Sequence, residues 1–131
     1  MFVDASALTA MLADESDGSA LMARMKRDKA RLTSPIAIWE TTLALARLTG
    51  QSVKDAGKSL NGFIDLTGIR IVAVPPEAAL IAVEAFERFG KGRHPARLNM
   101  GDCFAYACAR HLGQPLLFKG SHFPLTDIDP A

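Results

Sequence analysis

Four short strand-like runs, the first three each followed by a stretch with helical spacing, constrain this chain more than any other feature. Met1-Phe2-Val3 is the first, and Asp4 ends it. Arg31-Leu32-Thr33 is the second, Ile69 to Val74 the third and Gln114 to Phe118 the fourth. These runs are too short for helices, and Ile71-Val72-Ala73-Val74 lacks the alternation of a half-exposed strand, as a buried parallel strand does. Helical stretches fill the intervals. Ala5 to Ala13 carries Leu8, Met11 and Leu12 at helical spacing. Ser19 to Lys29 sets Leu21, Met22 and Met25 against a face of Arg24, Lys26, Arg27 and Lys29. Ser34-Pro35 supplies a cap and a first-turn proline for a helix that runs to about Leu48 and stops at Gly50. Ser52 to Leu66 ends at Gly68, Pro75-Pro76-Glu77 opens a helix to Phe89, and Gly101 to His111 closes at Gly113. The tail from Lys119 is irregular, with a short edge strand expected near Thr126-Asp127-Ile128. Strands alternating with helices imply an α/β fold of three layers: a short central parallel sheet of four to five strands with helices on both faces.

At 131 residues and 49% apolar, the chain suits a single domain spanning 1–131 with a real core. A net charge of +1 excludes a polycationic nucleic-acid coat but not a local basic face. No run of about twenty apolar residues is present, so no membrane span is expected. The apolar start could imitate a signal peptide, but Asp4 interrupts it and no basic residue precedes it. Cys103 and Cys108, five apart in one helix, would lie roughly 8 Å apart, too far for a disulfide. They are expected as core thiols of a cytoplasmic protein.

In open parallel sheets, sites form beyond the carboxyl ends of the strands. Asp4 sits at one such end, and the loop after Phe118, with Ser121 and His122, at another. Asp102 falls in the first turn of a helix whose neighbours Phe104, Ala105, Ala107 and Cys108 are core-type, and Glu40 lies among Ile36, Ile38, Leu43 and Leu45. Singly, each acid has a plain explanation: Asp4 caps a helix, Glu40 pairs with Arg47, and Asp102 complements a helix dipole. Together they form a candidate cluster whose mutual repulsion a divalent cation would relieve, and oxygen ligands suit Mg²⁺ or Mn²⁺. A basic stretch with Arg88, Lys91, Arg93, His94 and Arg97 contains no acid and is a candidate phosphate-backbone contact. The Arg24–Arg31 charges fit a solvated helix face. Ser121 beside His122 does not make a nucleophilic triad, and no GxSxG, dinucleotide fingerprint or phosphate-loop motif occurs. A phospho-acceptor signalling domain would need paired acids after the first strand, where only Asp4 stands.

Met1-Phe2-Val3-Asp4-Ala5-Ser6-Ala7-Leu8, Ser34-Pro35-Ile36-Ala37-Ile38-Trp39-Glu40, Leu98-Asn99-Met100-Gly101-Asp102-Cys103-Phe104-Ala105-Tyr106-Ala107 and Leu116-Leu117-Phe118-Lys119-Gly120-Ser121-His122-Phe123 resemble, in order, the acidic segments of PIN domains. The resemblance spans nearly the whole chain and lies nearest the VapC toxins of bacterial toxin–antitoxin pairs. It implies a PIN-like, Rossmann-like fold and an Mg²⁺- or Mn²⁺-dependent endoribonuclease acting on a structured RNA such as tRNA. Asp4, Glu40 and Asp102 would be its catalytic and metal-holding residues, and Lys91, Arg93 and Arg97 its RNA contacts. The partners implied are an antitoxin of the VapB kind and a second copy of the chain, giving a homodimer and, with antitoxin, a heterotetramer or larger.

One departure stands out. The family often has a fourth aspartate before the phenylalanine of the closing segment, and here that position is His122. Two consequences follow from the resemblance. His122, or Asp127 five residues on, joins the metal set, with the imidazole favouring Mn²⁺. Alternatively the chain is a catalytically weak or inactive PIN-like binding module. The apolar surplus of the helices at 35–48 and 52–66 is expected to serve a dimer face and a groove for an antitoxin helix.

Overall fold

The computed structural model describes all of residues 1–131. Strands β1 (Phe2–Val3), β2 (Leu32–Thr33), β3 (Arg70–Ile71) and β4 (Leu116–Leu117) form one parallel sheet in the order β3-β2-β1-β4. Phe2 is registered with Leu32 on one side and Leu116 on the other, and Leu32 and Thr33 pair with Arg70 and Ile71. Helices α1 (Ala5–Leu12), α2 (Gly18–Met25), α3 (Pro35–Thr49), α4 (Val53–Thr67), α5 (Glu77–Phe89) and α6 (Met100–His111) connect and cover it.

The period of two along each strand creates the layers. Phe2, Leu32 and Leu116 enter one core with α5 and α6, through Ala78, Ala82, Phe89, Cys103, Tyr106 and Cys108. Val3 and Leu117, their chain neighbours, enter the opposite core with Leu8, Met25, Leu45, Leu60 and Ile64. Two-residue strands thus suffice to divide two hydrophobic layers. Both cysteines are buried and unpaired, as their spacing requires. No helix is long and apolar enough to cross a membrane.

Three elements differ from expectation. The third strand is not a buried run from Ile69 to Val74. Only Arg70 and Ile71 are strand, both exposed, because β3 is the edge of the sheet. The Val72 N–H makes a last bond to the Thr33 carbonyl at 2.8 Å, and Pro75 and Pro76 have no N–H to continue it. The tail does not form a strand at 126–128. A 3₁₀ turn occupies Phe123–Leu125, and pairing with β4 comes later, through the bridge between Leu116 and Pro130. Thr126 turns back on the Phe123 carbonyl at 2.7 Å, which spends those residues on a turn. The second helix is also shorter than Ser19 to Lys29, ending at Met25.

Candidate metal centre

Asp4 follows β1 directly and caps α1. Its Oδ2 accepts the Ser6 N–H at 2.9 Å and the Ser6 hydroxyl. The same hydroxyl accepts the Lys119 N–H at 3.0 Å, which ties the corner after β1 to the end of β4. Only 3% of Asp4 is exposed. Burial raises its pKa, the two Ser6 bonds work against that, and the charge of Asp102 adds to the rise.

Glu40 comes from α3, whose start is fixed by Ser34 accepting the Ala37 N–H. Its carboxylate accepts no hydrogen bond and joins no ion pair; the pairing with Arg47 does not form. Its pKa is pushed up to about 7, first by burial and then by the charges of Asp4 and Asp102. Its oxygens rest directly over Gly101, in space that a Cβ there would need.

Asp102 is held by a capping box at the start of α6. Its backbone N–H donates to Asn99 Oδ1, and its Oδ2 accepts the Asn99 N–H, both at 2.9 Å. His122 Nδ1 lies 3.2 Å from the same Oδ2. Capping-box partner, dipole partner and cleft acid are therefore one residue in three roles.

Asp4, Glu40 and Asp102 line one open cleft of about 730 Å³ at the carboxyl end of the sheet. Its other wall is the exposed α3 face with Trp39, Leu43 and Leu48. The cations lining it are Arg47 and Lys119, the latter paired with Glu15 and, at 3.7 Å, with Asp17. Lys119 stands at the carboxyl end of β4, and Arg47 two turns after Glu40. Those positions are the signals by which sequence reasoning could have placed both at the cleft.

The remaining candidates lie elsewhere. Asp127 is not beside the acids. It accepts from Arg88 at 2.8 Å, Tyr106 at 2.8 Å and Arg110 at 3.5 Å. Arg110 is eight residues beyond Asp102 on α6, roughly 12 Å along the axis at 1.5 Å per residue. Three donors from two helices hold Asp127 there. Lys91, Arg93 and Arg97 do not line the cleft either. Arg93 pairs with Glu87 at 3.1 Å and stacks on Phe86.

No three His, Cys, Asp or Glu side chains converge into a ready-made ligand cluster. The donor chemistry nevertheless fits a hard divalent cation: three carboxylates share a cleft, and neither Asp4 nor Glu40 has a cationic partner.

Comparison with known proteins places the chain in a family. The family model of the PIN domain matches residues 1–128. The chain belongs to the PIN domain family. Within it, the chain is 41% identical over 128 residues to Ribonuclease VapC of Mycolicibacterium smegmatis, covering 98% of this chain and 97% of that one. It is 42% identical over 128 residues to Ribonuclease VapC30 of Mycobacterium tuberculosis, with 98% and 95% covered. Among solved structures, the PIN domain here superposes on Mycobacterium tuberculosis VapC20, a sarcin–ricin loop cleaving toxin, with a TM-score of 0.77 over 99% of this chain and 97% of that one. Identity there is 20%, so that likeness speaks for the fold alone.

Proposed function

We propose that this PIN domain is a VapC-type toxin, a metal-dependent endoribonuclease that hydrolyses RNA phosphodiesters and is neutralised by a cognate antitoxin. The observation that carries it is that Asp4, Glu40 and Asp102 line one cleft, with two of the three lacking any cationic partner. The 41% and 42% identical relatives named as ribonucleases support the same activity.

Asp4 and Asp102, with Glu40, would hold Mg²⁺ or Mn²⁺. When bound, such an ion polarises a phosphate oxygen and lowers the pKa of water. Ser6 keeps Asp4 in place, and the Asn99 box keeps Asp102 in place. Glu40, its pKa pushed up to about 7, would hold such an ion in its deprotonated form. Lys119 and Arg47 at the cleft replace Lys91, Arg93 and Arg97 as the cations nearest the scissile phosphate. The substrate is a structured RNA with an exposed single strand, such as a tRNA loop, because single-stranded nucleotides can be splayed into a cleft. His122 stands in the position of a fourth acid and shares Asp102 Oδ2. Its imidazole tilts the metal preference toward Mn²⁺.

For partners, the exposed Trp39, Leu43 and Leu48 form an apolar wall beside the acids. An antitoxin helix seated there would cover the cleft. A homodimer, assembling with antitoxin as a heterotetramer or larger, completes the reading.

The second reading, a catalytically weak binding module, is favoured by one observation: an imidazole, His122, and not a fourth carboxylate lies against Asp102, 3.2 Å from its Oδ2. One experiment separates the two. Asp4→Asn and Asp102→Asn should each abolish metal-dependent RNA cleavage and leave the circular dichroism spectrum unchanged. Cleavage at the native rate by purified Asp102→Asn protein would refute the assignment. A native protein that binds RNA without turnover in either metal would establish the second reading.

A further inference from the structure

Gly101 is buried in the first turn of α6, one residue before Asp102. Glycine is disfavoured in a helix relative to alanine, and the φ of Gly101 is not in the left-handed region, so backbone conformation does not call for it. What does call for it is Glu40. The three atoms nearest to a Cβ built on Gly101 are Oε1, Oε2 and Cδ of Glu40, all well inside van der Waals contact. The conflict is therefore with the far end of a flexible side chain rather than with backbone. Glu40 also has no hydrogen bond or ion pair to hold its carboxylate, unlike Asp4 with Ser6 and Asp102 with Asn99. The seat over the bare backbone of Gly101 is what remains to fix its position.

We propose that Gly101 is a positioning residue: its missing side chain makes the seat that holds the Glu40 carboxylate in the cleft with Asp4 and Asp102. The proposal rests on the reading that these acids hold a divalent cation. A methyl group at 101 would push the carboxylate out of its seat while costing the fold little, because Glu40 can swing away by side-chain rotation. The site would then lose one ligand although no ligand residue had changed. This distinguishes Gly101 from an ordinary packing glycine, whose substitution lowers stability first.

The test is Mn²⁺ binding to the purified full-length chain, read by the electron paramagnetic resonance signal of free Mn²⁺. Four proteins are compared: native, Gly101→Ala, Glu40→Ala and the double variant, each with its metal-free thermal midpoint. Gly101→Ala should keep or slightly raise the native midpoint and bind Mn²⁺ about 10–100-fold more weakly, as changes to residues supporting metal ligands do. The double variant should bind no more weakly than Glu40→Ala alone, since the methyl then has no carboxylate to displace. Native affinity in Gly101→Ala beside weakened affinity in Glu40→Ala would overturn the role of Gly101 and leave the metal reading standing. Native affinity in both would overturn the metal role of Glu40 and the inference with it. A further loss in the double variant, or a Gly101→Ala chain that fails to fold, would show the methyl acting on the fold rather than through Glu40, and would likewise overturn it.

Discussion

Ser6 grips Asp4 twice, its backbone N–H and its hydroxyl both donating to Oδ2 of that carboxylate. The two residues belong to the same turn, so the grip is local and forms as soon as α1 does. Its effect is long-range: the same hydroxyl accepts from Lys119 at the end of β4.

Replacement of Ser6 by alanine removes the hydroxyl and leaves the backbone cap. Hydrogen bonds to charged groups contribute about 1.5–3 kcal/mol, so Ser6→Ala should lose about that much stability in urea unfolding above neutral pH. The hydroxyl lowers the Asp4 pKa against the pull of burial. Without it that pKa rises further, and the acid limb of RNA cleavage should move to higher pH. An unchanged acid limb would mean that Asp4 is not the group titrating there.

Glu40 makes the metal-free protein sensitive to pH near neutrality. Its pKa is about 7 in the folded chain against an ordinary 4.5, so the folded state holds the proton more tightly than the unfolded one. The resulting stability is fully present below 4.5 and is lost as pH rises through about 7. Asp4, also raised, contributes with the same sign. In the presence of a chelator, urea midpoints should fall between about pH 5 and pH 8. Glu40→Gln should flatten part of that slope and be the more stable protein at the upper end. Mn²⁺ should reverse the trend, because its affinity rises as the carboxyls ionise. A Glu40→Gln protein with the native slope would place the titration elsewhere.

Asp127 should behave as a structural residue. Burial works to raise its pKa, but hydrogen bonds from Arg88 and Tyr106 hold it below the ordinary value. The Tyr106 side chain is buried, and Asp127 is its hydrogen-bond acceptor. Asp127→Ala should therefore cost roughly 1–3 kcal/mol, the range for stranding a buried polar group. Mn²⁺ affinity should be unchanged once folding is corrected for. Weakened metal binding in a folded Asp127→Ala protein would return this residue to the site.

What the sequence discloses follows from how local each interaction is. Asp4 and Asp102 are legible because each sits at a helix start marked by a capping partner two or three residues away, Ser6 and Asn99. Glu40 is legible as a lone acid within an apolar helix. The layers are legible because a period of two at Phe2-Val3 and Leu116-Leu117 sends neighbours to opposite cores. The rest depends on pairs distant in sequence. Asp127 is claimed by Arg88 and Arg110 from two helices; Arg93, nearer in sequence, pairs across the end of α5 with Glu87 in its last turn. A charge run alone does not reveal which of its members are already paired. The seat of Glu40 over Gly101 joins residues sixty-one apart, and no local pattern announces it.

His122 gives the last prediction. Its Nδ1 lies 3.2 Å from Asp102 Oδ2, the oxygen that also closes the Asn99 box. If this is the position of a fourth acid, as the resemblance implies, the imidazole puts a nitrogen donor where a carboxylate would stand, which disfavours Mg²⁺, with its preference for hard oxygen ligands, more than Mn²⁺. RNA cleavage by the native protein should therefore be faster with Mn²⁺ than with Mg²⁺ at equal saturation. His122→Asp should narrow or invert that ratio by restoring a carboxylate. His122→Asn is the control that removes the imidazole without adding charge, and it should not restore Mg²⁺ use. If His122→Asp leaves the ratio where it was, the residue at this position does not tune the metal, and its contact with Asp102 serves the loop after β4 instead.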